Sequence, residues 1–198
     1  MNKQKIENYV KEILKEIGED VEREGIKFTP TRVARLYENT LYGYRKKLQV
    51  MNEEERNTKV PEDVIPVTVF KCDSQEMLIR KVTFNSFCEH HMVSFSGVAY
   101  VGIIPNKLLL GMNKIDKIVK YFGARLQIQE RMTNQIADWI NDNVKPKGII
   151  VVIKANHMCA ELQGDNGDFT TSAVRGIFLK PEPNTGDPRS EFLKLIMV

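Results

Sequence analysis

Apolar residues recur at helical spacing from the start of the chain. Ile6, Val10, Ile13, Leu14 and Ile17 predict one helix, broken at Gly18-Glu19-Asp20. Thr29-Pro30-Thr31 opens a second, striped by Val33, Leu36, Tyr37 and Leu41, so the first 50 residues read as helical. The charged run MNEEERNTK (51–59) predicts an exposed loop, and the chain divides there into an N-terminal helical region (1–60) and a main domain (61–198). From residue 64 the period falls to two. VIPVTVFKCD, EMLIRKVTF and MVSFSGVAYVGIIP, rich in β-branched and aromatic residues, predict strands. A long helical region follows from Asn113, with Ile115, Ile118, Val119 and Phe122 on one face. After Gly123 the spacing continues through Ile128, Met132, Ile136 and Ile140, to end at Lys145-Pro146-Lys147-Gly148. Strands resume in GIIVVIKANHMCAEL and DFTTSAVRGIFL, and a short helix from Ser190 to Met197 follows the turn sequence EPNTGDP. Strands, then helices, then strands predict an α+β fold, with helices packed on one face of an antiparallel sheet.

Composition narrows the class. Of 198 residues 42% are hydrophobic and 28% charged, as in an ordinary globular domain. No apolar run reaches the roughly 20 residues that span a bilayer, so no membrane partner is expected. The charged N-terminus lacks the apolar core of a signal peptide and points to the cytoplasm, where thiols stay reduced. A net charge of +3 gives no footprint for nucleic acid.

Histidine and cysteine are scarce, three of each, yet all but Cys72 fall in CEHH (88–91) and HMC (157–159). Taken singly, each Cys reads as a small core residue and each His as locally satisfied. Together they read as a metal site, since thiolate and imidazole suit zinc. A tight turn through C-x-x-H can aim Cys88 and His91 at one point. His157 and Cys159, two apart in a predicted strand, share a face. Candidates outnumber ligands. All could close around a structural zinc, or three could hold a catalytic zinc and leave the other histidines as acid–base groups for hydrolysis.

GMNKIDKIVK adds a second feature. Asn113 reads as an N-cap with Asp116 as its capping-box partner, which places Lys114 and Lys117 in the first helical turn. A bound phosphate would offset their conflict with the helix dipole; a solvated basic face explains them equally. Glu130 reads either as a surface partner of Arg131 or Asn134, or as a carboxylate that reads a guanine edge.

These stretches together resemble the GTP cyclohydrolase I family. The likeness runs through GEDVEREGIKFTPTRVARLY, FCEHHMVSFSGVAYVGIIPN, GMNKIDKIVKYFGARLQIQERMTNQIADWI, VVIKANHMC and TTSAVRGIF. The resemblance implies a T-fold, an antiparallel sheet with two inserted helices, preceded by N-terminal helices. It also implies a homo-oligomer, a decamer of two stacked pentamers with active sites at subunit interfaces. Cys88, His91 and Cys159 match the zinc ligands, His90 and His157 the proton-moving pair, and Glu130 the guanine reader, with Gln129 beside it. The implied reaction is hydrolytic opening of the guanine imidazole ring of GTP. It gives formate and 7,8-dihydroneopterin triphosphate, in pterin and tetrahydrofolate biosynthesis and one-carbon metabolism.

The sequence departs from the family at the phosphate-binding positions. Serine usually precedes the lysine and arginine follows three positions later, where this chain has Asn113 and Lys117 around Lys114. The arginine expected four residues after the second zinc cysteine is Gln163, and the following loop, QGDNGDFTT, is about three residues short. Glutamine offers neither charge nor a bidentate fork. Three readings therefore stand: a GTP cyclohydrolase I, a cyclohydrolase of the same fold for another or less phosphorylated purine nucleotide, and a non-catalytic zinc-stabilised binding protein.

Overall fold

A computed structural model of the chain describes residues 1–56, 59–74, 76–165, 167–181 and 186–197. It forms two compact units, Met1–Tyr42 and Gly43–Val198. In the first, α1 (Lys3–Glu16) begins where the Asn2 side chain accepts from the Lys5 N–H at 3.0 Å. It ends before Gly18, at φ +88°, where the Glu19 N–H returns to the Leu14 carbonyl at 2.9 Å. α2 (Thr29–Thr40) carries Pro30 in its first turn and buries Ala34. Of the predicted α1 stripe, Ile6, Val10 and Leu14 are half-buried while Ile13 and Ile17 are exposed.

The second unit opens on a strand, β1 (Lys47–Met51), where the sequence predicts helix. After the short α3 (Glu53–Arg56) comes β2 (Val64–Lys71), which pairs in parallel with β1. That pairing moves the boundary between units earlier than residue 60. The predicted loop is therefore partly strand and helix; its residues 57–58 lie outside the described residues, as do 182–185 of the predicted EPNTGDP turn.

The main sheet is built from β3 (Leu78–Cys88), β4 (Ser94–Ile104), β7 (Gly148–His157) and β8 (Phe169–Gly176), antiparallel throughout. β5 (Leu108–Leu110) pairs with β2, and β6 (Leu126–Gln127) runs parallel to the end of β3. A short strand thus completes each of the two sheets, β1-β2-β5 and β6-β3-β4-β7-β8. Between β5 and β7 lie α4 (Met112–Gly123) and α5 (Gln129–Val144), as the apolar stripes predict. Ile115, Ile118, Val119, Met132, Ile136 and Ile140 join Val82, Phe84, Val101 and Val151 in one core. The predicted strand through GIIVVIKANHMCAEL stops at His157; Met158–Glu161 form a one-turn helix, α6.

Helices do not occupy one face alone. α7 (Pro188–Ile196) packs Phe192 against Ile104, Ile150, Val152 and Phe178 in a second core. This is why β7 is apolar on both faces. Gly102 of β4 makes room for that helix, since a Cβ there would stand 2.6 Å from the Phe192 ring and 2.7 Å from Ile150. Gly102→Ala is expected to cost about 1–3 kcal/mol through overpacking, measured by urea denaturation. No helix of the described residues is long and apolar enough to cross a membrane.

Candidate metal centre and active site

The site forms where β3, β6, β7 and the start of α5 converge. Cys88, 4% exposed, ends β3 and begins a tight turn: its N–H donates to the Val93 carbonyl and its carbonyl accepts from the Met92 N–H, both at 2.8 Å. Met92, at φ 56°, completes the reversal into β4. The turn holds His90 and His91 with ring centroids 6.2 Å apart and planes at 83°. Two contacts tie it to the QIQER stretch. The Glu89 N–H donates to the Gln127 carbonyl at 3.0 Å, and the Glu89 carboxylate takes both ends of the Arg131 guanidinium, Nη2 to Oε1 at 3.0 Å. Arg131 thus pairs with Glu89 and not with Glu130, and it holds the Glu89 carboxyl below its usual range.

This pair clamps the metal-site turn to the helix that bears Glu130. Reversing either charge alone is expected to lower kcat/KM on the order of 10-fold, because the clamp positions reacting groups it does not touch. The double reversal Glu89→Arg with Arg131→Glu should recover most of the loss, measured as a double-mutant cycle at low and high salt.

Cys88 Sγ lies 3.9 Å from His91 Nδ1, and the donor atoms of Cys88, His91 and Cys159 fall within 4.8 Å of one another. Tetrahedral zinc with Zn–S of about 2.3 Å and Zn–N of about 2.0–2.1 Å sets S···N and S···S separations of roughly 3.5–3.8 Å. The donor set therefore fits such an ion with little movement. Among the described residues this is the one group of its kind. Burial, followed by the neighbouring Cys88, pushes the Cys159 thiol up; a bound cation would reverse that by stabilising thiolate. Cys159 meets the others from the first turn of α6, not from a strand shared with His157 as predicted. Cys72, half-buried just beyond β2, takes no part.

His157 closes β7 opposite Phe95 of β4. Its ring stacks on Phe95 at 4.5 Å and 5°, and Phe169 meets it edge-on at 5.4 Å. Burial lowers its pKa from the usual range, while the Glu130 charge acts in the opposite direction. Its Nε2 lies 3.0 Å from Gln129 Oε1. Glu130 is exposed in the first turn of α5, where the helix dipole favours a carboxylate, and its backbone carbonyl accepts from the Asn134 side chain.

Cys88, His90, His91, Gln129, Glu130, His157 and Cys159 all line one pocket of ≈ 220 Å³. The sequence missed Gln127 and Phe169 in its wall. Gln127 was legible as the first glutamine of QIQER, two residues from Gln129 on a strand. Its Nε2 donates to the Phe122 carbonyl and to Gln135, and its buried Oε1 has no hydrogen-bond partner among the described residues.

The predicted phosphate residues lie elsewhere. Asn113, Lys114, Lys117 and Gln163 are not part of this pocket's lining. Asn113 is not an N-cap either. Gly111 is, and Asp116 bonds Arg80 of β3 at 2.9 and 3.1 Å instead of capping. Gln163 turns back, its Nε2 donating to the Cys159 carbonyl at 2.8 Å.

A metal-capable donor set beside two further site histidines and a carboxylate, at the end of a mixed helix–sheet core, defines an enzyme site. The sequence profile of the GTP cyclohydrolase I family matches residues 6–197. GTP cyclohydrolase 1 of Campylobacter jejuni (strain RM1221) is 44% identical over 97% of this chain and 94% of its own. The proteins of that name from Leptospira biflexa and Campylobacter lari are each 40% identical, over 96% and 98% of this chain and 97% and 95% of their own. Among solved structures, archaeosine synthase QueF-Like in the apo form is similar over 52% of this chain and 97% of that one, at 18% identity and a TM-score of 0.47. The chain belongs to the GTP cyclohydrolase I family and is an enzyme of that type.

Proposed function

We propose that this enzyme hydrolyses the guanine imidazole ring of GTP, yielding formate and 7,8-dihydroneopterin triphosphate. The observation that carries the reading is the meeting of Cys88, His91 and Cys159 with His90, His157 and Glu130 around one pocket. Cys88, His91 and Cys159 would hold zinc. When bound, it supplies a Lewis acid that brings the pKa of water towards neutrality. Two hydrolytic cleavages free C8 as formate, and each requires a proton delivered to a departing nitrogen. His90 and His157 are assigned that traffic. Glu130 accepts from guanine N1–H and the 2-amino group, a pairing that fixes the base. Rearrangement of the ribose and closure of a new ring complete the product.

A pocket of ≈ 220 Å³ is below the roughly 300–1,000 Å³ of sites that enclose a whole ligand, so it suits the base and leaves the triphosphate outside. We assign the main domain to the T-fold and the protein to a cytoplasmic decamer of two pentamers. Sites at subunit interfaces would let Asn113, Lys114 and Lys117 of one subunit complete the pocket of another. One observation favours a second reading, a cyclohydrolase for a less phosphorylated purine nucleotide: Gln163 is bonded back to the Cys159 carbonyl. Formate release from GTP, GDP, GMP and dGTP by the zinc-loaded protein separates the two. The highest kcat/KM with GTP supports the main reading; a clear preference for GDP or GMP replaces it with the second.

A further inference from the structure

Gln129, expected from the sequence to contact substrate, has both ends of its side-chain amide engaged by partners within the protein. It is 2% exposed. Its Nε2 donates to the carbonyls of Ile153 and Phe169, both at 3.0 Å, and lies 3.2 Å from Thr171 Oγ1. A backbone carbonyl only accepts, so this end of the amide is the nitrogen and the other is the oxygen. The oxygen faces His157 Nε2 at 3.0 Å and must accept there. Neutral His157 therefore carries its hydrogen on Nε2 and its lone pair on Nδ1.

The amide is itself held in place. Thr133 Oγ1 donates to the Gln129 backbone carbonyl at 2.7 Å and shares a 2.7 Å hydrogen bond with Thr171 Oγ1. Phe95 and Phe169 confine the imidazole from its face and its edge. Strands β7 and β8 and helix α5 thus meet at one side chain.

We propose that Gln129 is a positioning residue that locks His157 as the Nε2–H tautomer, so that Nδ1 is the ring nitrogen left with the lone pair. It acts through His157 and leaves recognition of the base to Glu130. For the role of His157 in catalysis the inference rests on the reaction proposed above; the tautomer stands independently of it.

The test is 15N NMR of the zinc-loaded protein labelled at its three histidines, joined to steady-state kinetics of Gln129→Met with GTP. In the wild type, the signals lost in His157→Ala should show an Nε2–H imidazole. Gln129→Met should release that pattern and leave those of His90 and His91 unchanged. Its kcat is expected to fall about 10- to 100-fold, part of what a positioned acid–base group contributes. KM for GTP should stay within about threefold, since no substrate contact is removed. An Nδ1–H imidazole at His157 in the wild type overturns the proposal, whether or not the variant folds. A raised KM with unchanged kcat also overturns it and returns Gln129 to substrate contact. A wild type that keeps the Nε2–H form yet leaves GTP unchanged supports the lock and counts against the proposed reaction.

Discussion

Replacing His157 by alanine is expected to lower kcat for GTP by about 10²- to 10⁴-fold, the usual contribution of a positioned general acid–base group, and to leave zinc binding unchanged. The two halves follow from separate features. The imidazole packs against Phe95 and Phe169 and bonds Gln129, outside the Cys88, His91 and Cys159 donor set. Its removal would take away the proposed proton carrier and none of the three donors that could hold a metal. KM should move little, because Glu130 and the pocket walls still hold the base. Metal analysis of the purified variant beside its kinetics checks both halves. Zinc lost together with activity would mean that His157 belongs to the metal shell.

Cys88→Ala should have the opposite signature. One of the three proposed ligands disappears, and zinc affinity is expected to fall on the order of 100-fold or more, since each ligand would carry a share of a large binding free energy. Activity should drop to that of chelated wild type. The fold should survive, because alanine fits the small buried position at the end of β3 and the turn is held by backbone hydrogen bonds from residues 88 and 92. Zinc content after dialysis, with circular dichroism as the control for folding, reads the result. A fully metallated Cys88→Ala would place the metal elsewhere.

Much of this site could be read from the chain because its chemistry is concentrated in short motifs. CEHH makes its own turn, so two donors three residues apart need only local geometry to converge. The stripes of α4 and α5 were equally legible, since Ile115, Ile118, Met132 and Ile136 face the sheet at helical spacing. What the sequence hid depends on distant partners. β1, β5 and β6 are strands only because β2 and β3 pair with them, and the three residues of β5 and two of β6 carry no period of their own. The end of β7 was overextended for the same reason: one turn of helix at Met158–Glu161 cannot be seen in a pattern. Asp116 reads as a cap until Arg80, far away in sequence, claims it. The role of Gln129 likewise needs Ile153 and Phe169, brought to it by two strands.

The most direct test of the account is the stoichiometry of products from GTP with the zinc-loaded wild-type protein. One formate and one 7,8-dihydroneopterin triphosphate are expected for each GTP consumed, both abolished by chelation and restored by zinc. GTP that binds and is recovered intact would contradict it.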